Sequence, residues 1–134
     1  AMAGVLAYKP KILILDEPTA GLDPSGKKET LELIRNLKAS GKVNIVIMIS
    51  HNMDEIAEYT DRVILLNNAR LIYDLPTEEL FGKPKELVEF GLDVPQTVKI
   101  KELIQEKGIK IKSSALTVEI LFEEVFSLLR RENA

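Results

Sequence analysis

Two short apolar runs constrain this chain more than any other feature. Lys11-Ile12-Leu13-Ile14-Leu15 ends abruptly in Asp16-Glu17-Pro18, and Val43 to Ile49 is a second apolar, β-branched run. Neither alternates with polar residues, which predicts strands covered on both faces, as in a parallel sheet. Pro18 forbids the first run from continuing. Between the two, Ser25 to Ser40 reads as a helix. Leu31, Ile34 and Leu37 recur at three-residue spacing, Leu33 widens the stripe, and Gly41 stops it. Two buried strands joined by a helix form a βαβ crossover, expected to be right-handed. The fold class that follows is α/β.

The rest of the chain is more punctuated. Met53 to Tyr59 reads as a short helix. Arg62 to Leu66 and Ala69 to Tyr73 read as strands about a turn at Asn67-Asn68, an antiparallel hairpin. Thr77 to Phe81 is a helical turn, and Gly82-Lys83-Pro84 is a punctuated linker. Asp93 and Gln96 have capping-box spacing and Pro95 suits a first turn, so a helix runs from there to Lys107 and stops at Gly108. A last helix spans about Leu116 to Arg131, with Val118, Leu121, Phe122, Val125, Phe126, Leu128 and Leu129 on a broad apolar face. That face is wider than one packing partner needs, which suits a dimerisation element. It also fits simple packing on the preceding helix and the hairpin. The domain boundary falls near Gly82, giving 1–82 and a helical extension 83–134.

Composition removes several classes. With 134 residues the chain can hold a hydrophobic core. Apolar residues at 46% and charged residues at 29% exclude disordered and collagen-like chains. No apolar run approaches the roughly 20 residues of a membrane-spanning helix. Eighteen Lys+Arg against 21 Asp+Glu give a net charge of −3, which argues against nucleic acid as a partner. Lys83, Lys85, Lys99, Lys101, Lys107, Lys110 and Lys112 hint at a basic patch. From residue 83 onward, however, nine Lys+Arg face nine Asp+Glu, which predicts a solvated mixed surface. Zero Cys excludes disulfides, thiolate metal sites and a Cys nucleophile, and a single His excludes any site that needs two. No basic segment leads an apolar stretch with a cleavage site, so nothing points to secretion.

Asp16 and Glu17 stand where the first strand ends. Open parallel sheets bind ligands beyond the carboxyl ends of their strands. Adjacent carboxylates at a strand tip point to opposite sides and so suit two jobs. In phosphoryl transfer an Asp here helps hold Mg²⁺, and a neighbouring Glu orients or deprotonates the attacking water. The plainer alternative is that they begin a turn and cap a helix. His51 follows the second strand, so it lies at the same sheet edge. A neutral imidazole there could contact a phosphate or position a water. Its plainer alternative is to cap the next helix or lie exposed.

Residues 12 to 24 read ILILDEPTAGLDP. This stretch resembles the Walker B strand and D-loop of ATP-binding-cassette (ABC) ATPases. Asp16 matches the Walker B Asp, Glu17 the catalytic Glu, and Ala20-Gly21-Leu22-Asp23 the D-loop. Ser50-His51-Asn52-Met53-Asp54-Glu55 through Ala57, then Asp61-Arg62-Val63, is similar to the H-loop segment. The resemblance implies a portion of the P-loop NTPase parallel sheet with flanking helices and a hairpin, plus the small helical extension. It implies ATP and Mg²⁺ as cofactors of the complete protein. Asp16 would hold Mg²⁺ through water, Glu17 would polarise the attacking water, and His51 would contact the γ-phosphate. Gly21, Leu22 and Asp23 would face a second ATPase subunit.

The Walker A loop, the Q-loop segment and the LSGGQ signature are not among these 134 residues. Gly21 to Lys27 does fit the G-x-x-x-x-G-K spacing, but it is a decoy. Lys28 stands where Ser or Thr must reach Mg²⁺, Asp23 would put a negative charge inside a phosphate cradle, and the preceding strand ends too early. Residues 1 to 8 resemble the helix that follows the signature. The expectation is therefore a chain that carries only the later motifs and is inactive alone. Gly91-Leu92-Asp93-Val94-Pro95-Gln96 and Leu116-Thr117-Val118-Glu119 resemble the C-terminal extension of energy-coupling-factor (ECF) ATPases. These power uptake of vitamins and of cobalt or nickel ions. The resemblance implies a peripheral protein at the cytoplasmic face of the cell membrane. Its partners would be a second ATPase subunit, a transmembrane coupling component and a substrate-binding membrane component. Asp74-Leu75-Pro76-Thr77 departs from the Asp-Gly-Thr-Pro of many relatives, which affects a turn and not the chemistry. A non-transport ABC ATPase and a non-enzymatic association module are the alternatives.

Overall fold

The computed structural model describes residues 2–111 and 116–132. Its elements are α1 (Met2–Ala7), β1 (Ile12–Asp16), α2 (Pro24–Ala39), β2 (Ile45–Ile49), α3 (Met53–Tyr59), β3 (Arg62–Asn67), β4 (Arg70–Pro76), α4 (Thr77–Phe81), α5 (Pro84–Glu89), α6 (Gln96–Glu106) and α7 (Val118–Glu132). They form two compact units, one ending at His51 and the other starting at Asn52.

In the first unit β1 and β2 pair in parallel, in register from Ile12 opposite Ile45 to Asp16 opposite Ile49. The joining helix α2 starts on an N-cap. Asp23 has an extended backbone and its carboxylate accepts from the Gly26 N–H at 3.2 Å, with Pro24 in the first turn. Gly41 follows its end with φ of 70°, the left-handed step that a glycine takes without strain. Leu13, Leu31, Ile34 and Val43 are the buried apolar side chains here. Leu33, expected to widen the buried stripe, is instead exposed. The apolar runs predict cover on both faces, but only one face has it among the described residues. Leu13 lies on the covered face. Ile12, Ile14, Ile45, Ile47 and Ile49 share the other and are all about half exposed or more.

The second unit is built on the β3–β4 hairpin. Asn67 pairs with Arg70, so the turn is Asn68-Ala69, one residue later than the sequence suggests. Both turn residues have positive φ, 49° and 56°, the backbone of a type I′ turn. Ile56 and Ala57 of α3 join Leu80, Phe81, Leu87, Val94 and Val98 in one core, with Val63, Leu65, Tyr73 and Leu75 of the hairpin packed against it. Phe81 and Leu87 flank Gly82, so the residues on either side of the expected boundary bury their side chains together. Pro84 opens helix α5, although the sequence reads as a linker there. A proline suits the first helical position, where no N–H is needed.

Two further expectations are corrected. Asp93 does not cap α6. Its carboxylate accepts from the Val94 N–H and pairs with Lys99, each at 2.8 Å, while the Gln96 N–H donates to Asp54 Oδ1 at 2.7 Å. Lys101 is not a surface lysine. It is only 6% exposed, and burial lowers its pKa against the opposing pull of Glu102, Glu78 and Glu124. Lys112 lies outside the described residues. Helix α7 has two apolar stripes. Leu121 is buried with Ile111, and Ile104, Val125 and Leu128 pack around them. Val118, Phe122, Phe126 and Leu129 are exposed on the other stripe. No helix among the described residues is long and apolar enough to cross a membrane.

Candidate functional site

The parallel register brings the two strand ends side by side. Asp16 pairs with Ile49, so Asp16, Glu17 and His51 gather at the carboxyl edge of the sheet. One hydrogen bond extends the strand pairing beyond β1, from the Glu17 N–H to the Ile49 carbonyl at 2.8 Å. Glu17 then turns into a left-handed backbone with φ of 46°. The following Pro18 keeps Glu17 out of the right-handed helical region. The loop continues as tight turns. The Ala20 N–H donates to the Glu17 carbonyl and the Leu22 N–H to the Thr19 carbonyl. Gly21 supplies a second left-handed step with φ of 75°.

This loop presents the Glu17 carboxylate to His51. Glu17 Oε1 accepts from the His51 backbone N–H at 3.1 Å and lies 2.7 Å from His51 Nδ1. An ionised carboxylate can only accept, so Nδ1 carries the proton in this contact. Nε2 is then the nitrogen left for another partner, as an acceptor in the neutral ring and a donor in the charged one. The His51 side chain is 88% exposed and that of Glu17 33%. A mostly fixed carboxylate thus anchors a mostly open imidazole.

Of the plainer alternatives, helix capping does not hold, whereas Glu17 does begin a turn and His51 does lie exposed. Asp23, not Asp16 or Glu17, caps α2, and Asn52, not His51, caps α3. Asp16 is exposed at the end of β1. No cluster of three or more His, Cys, Asp or Glu side chains that could hold a metal occurs among the described residues. A lone carboxylate is still an ordinary protein contribution to Mg²⁺, whose remaining ligands come from water and phosphate oxygens. The amino end of α2 offers no phosphate cradle, because the Asp23 carboxylate already takes the Gly26 N–H. That contact agrees with reading Gly21 to Lys27 as a decoy. Gly21, Leu22 and Asp23 are all exposed, at the loop preceding α2. The recess lined by Pro76, Glu78, Glu79, Gly82 and Lys83 contains none of the site residues.

Two parts of this arrangement are not visible in residue types. One is the Ile49 carbonyl that ties down Glu17. The other is the left-handed turn that swings the Glu17 carboxylate onto His51. Pro18 is the one signal that could have suggested it.

No family model matches the chain. Curated proteins do. The chain is 41% identical, over 98% of its length, to the energy-coupling factor transporter ATP-binding protein EcfA2 of Bacillus cereus. It is 41% identical over 97% of its length to EcfA2 of Caldanaerobacter subterraneus. It is 42% identical over 96% of its length to EcfA1 of Bacillus subtilis. In each case it spans 45% of the relative's length. Among solved structures it matches CbiO1 of Clostridium perfringens, described as part of the ABC transporter complex CbiONQ. That match has a TM-score of 0.57 and 34% identity, covering 75% of this chain and 40% of the other. The α/β fold is therefore that of part of an ABC ATPase.

Proposed function

We propose that this chain, whose relatives are energy-coupling factor ATP-binding proteins, is part of the ATP-hydrolysing subunit of an ECF-type ABC importer. The observation that carries the reading is the Glu17–His51 contact beside Asp16 at the carboxyl edge of two parallel strands. In the complete protein Asp16 would hold Mg²⁺ through water, and ATP would supply the phosphoryl group. Glu17 would polarise the attacking water. His51, its Nδ1 committed to Glu17, would offer Nε2 to the γ-phosphate. Gly21, Leu22 and Asp23 would meet the second ATPase subunit. The protein would sit at the cytoplasmic face of the cell membrane, with a transmembrane coupling component and a substrate-binding component. Its cargo would be a vitamin or a metal ion.

The test is Glu17→Gln in the full-length parent. Hydrolysis should fall by at least about 100-fold, in line with the loss of general-base assistance, while ATP still binds. Loss of binding together with hydrolysis would make Glu17 structural. The 134-residue chain alone should show no Mg²⁺-dependent turnover, since its sequence has neither a phosphate cradle nor a signature. Turnover by this chain that Glu17→Gln abolishes would refute that.

A second reading, an association module, draws support from the exposed stripe of α7. The domain division 1–82 and 83–134 belongs to that reading, with the helical extension as its pairing element.

A further inference from the structure

We propose that Thr19 is a positioning residue for Glu17, pinning the loop that turns the Glu17 carboxylate onto His51. The inference deepens the ATPase reading above and rests on it for its catalytic meaning. The backbone angles of a residue set the relation between the peptide plane before it and the plane after it. At Glu17 the plane before is fixed by the strand pairing, through the N–H bond to the Ile49 carbonyl at 2.8 Å. The plane after carries the Glu17 carbonyl, which accepts from the Ala20 N–H at 3.1 Å. That bond closes a four-residue turn from Glu17 to Ala20. Pro18 stands at its second position, where a fixed φ suits a turn, and Thr19 at its third. The left-handed φ of 46° at Glu17 therefore depends on where this turn is held.

Thr19 holds it. Of residues 17–23 it is the one with a buried side chain, 3% exposed, while Pro18 is half-buried and Ala20, Gly21, Leu22 and Asp23 are exposed. A hydroxyl enclosed in this way is kept by a hydrogen bond. Thr19 also opens the next turn. Its carbonyl accepts from the Leu22 N–H at 3.2 Å, and Gly21 at the third position has the positive φ, 75°, that a type II turn needs there. The far end of the loop is tied separately, because Asp23 caps α2. Thr19 is thus the point that both turns share and the buried anchor between the strand end and the helix cap. The contact it protects is short-ranged. The 2.7 Å hydrogen bond between Glu17 and His51 Nδ1 is gone once its atoms part by about 1 Å. The His51 ring is 88% exposed, and a neutral imidazole in water carries its proton mainly on Nε2. Only the carboxylate at Nδ1 holds the proton there, so the tautomer of His51 reports the position of Glu17.

The experiment uses the full-length parent. Nitrogen-15 NMR in mildly alkaline buffer reads the histidine rings, with the His51 signals identified by their loss in His51→Gln, and kcat and KM for ATP are measured alongside. Wild type should show His51 protonated on Nδ1. Thr19→Ala should move that proton to Nε2 and lower kcat at least fivefold, with KM within twofold of wild type. Thr19→Ser keeps the hydroxyl and should keep the Nδ1 proton, with kcat within twofold. Thr19→Val keeps the shape without the hydroxyl. It should behave as Thr19→Ala does, and it decides the matter if Thr19→Ala does not fold. Ile34→Val trims the buried face of α2 in the same unit and should lower the thermal midpoint without changing tautomer or kcat. An Nδ1 proton retained in both Thr19→Ala and Thr19→Val overturns the inference, as does wild-type kcat in both. So do failure of Thr19→Ser to preserve tautomer and kcat, and equal losses in Ile34→Val. A tautomer that follows Thr19 in an inactive parent removes the ATPase reading and leaves the pin standing, whereas an active parent whose tautomer ignores Thr19 removes the pin alone.

Discussion

Glu17 adopts a left-handed backbone, which costs a residue with a side chain about 1–2 kcal/mol. Its N–H donates to Ile49, its carbonyl accepts from Ala20, and its carboxylate takes the backbone and ring N–H groups of His51. Hydrogen bonds of this kind contribute about 0.5–1.5 kcal/mol each, so together they offset the strain. The conformation is held by its partners and not by the residue. Asp23 has a separable structural job. Asp23→Ala should destabilise the chain by about 1 kcal/mol through the lost cap, whereas Asp23→Asn, which keeps an acceptor, should stay near wild type. Denaturant midpoints of the two variants check this. Equal losses would mean that the charge, not the acceptor, matters. Gly26→Ala should cost less than Asp23→Ala, because its Cβ would lie 2.9 Å from Asp23 Oδ1 and displace the cap, while alanine in place of glycine inside α2 recovers up to about 1 kcal/mol.

At the scale of elements, the hairpin carries an avoidable strain. Ala69 has φ of 56° in the second position of a type I′ turn, where glycine is the usual residue. Ala69→Gly should stabilise the second unit by up to about 1 kcal/mol, since relief of about 1–2 kcal/mol exceeds the added flexibility of about 0.5–1 kcal/mol. A rise of a few degrees in the thermal midpoint would show it, and a fall would mean the turn is not type I′ in solution. The same turn illustrates what sequence patterns can and cannot report. Apolar runs locate both strand pairs, and an Asp-Glu step at a strand end with a His after the next strand predicts the Asp16, Glu17 and His51 cluster at the sheet edge. These signals are local. The Asn68-Ala69 turn lies one residue off because register is settled by which hairpin residues meet the core, with Val63 and Leu65 inward and Ile64 and Leu66 outward. Pro84 reads as punctuation although it begins α5. The caps are the clearest case. Asp93 and Gln96 have the right spacing, yet the acceptor comes from Asp54, and no local pattern encodes a partner 42 positions away.

At the scale of the whole molecule, acid should loosen the second unit. Asp74 is held below its ordinary 3.8 by Arg62, Glu86 below 4.5 by Tyr73 and then Lys83, and Asp93 below 3.8 by Lys99 and the Val94 N–H. A depressed carboxyl pKa means that the unfolded chain takes up the proton first as pH falls. The stabilisation is therefore complete above the ordinary carboxylate values and is lost as pH drops through and below them. The unfolding midpoint of Asp93→Asn should fall less steeply below about pH 4 than that of wild type. Parallel slopes would show that the Lys99 pair is absent in solution.

Solubility is decided by the apolar surfaces. Ile12, Ile14, Ile45, Ile47 and Ile49 form a bare face on a parallel sheet, a surface that soluble proteins cover, and α7 exposes Val118, Phe122, Phe126 and Leu129. The sheet face is the stronger driver of self-association, because its isoleucines are contiguous across both strands and, among the described residues, the outer edge of each strand is unpaired. On α7, by contrast, Phe122 stacks on Phe126 and the Arg130 guanidinium covers the Phe126 ring at 4.5 Å, which partly satisfies that stripe within its own helix. The 134-residue chain should therefore gain mass with concentration in light scattering. Ile14→Lys combined with Ile47→Glu, at positions directly opposite in the register, should return it to monomer mass, while deletion of residues 118–134 should not. The reverse result, a monomer only when α7 is removed, would transfer the association to the helix and favour the reading of this chain as a pairing module.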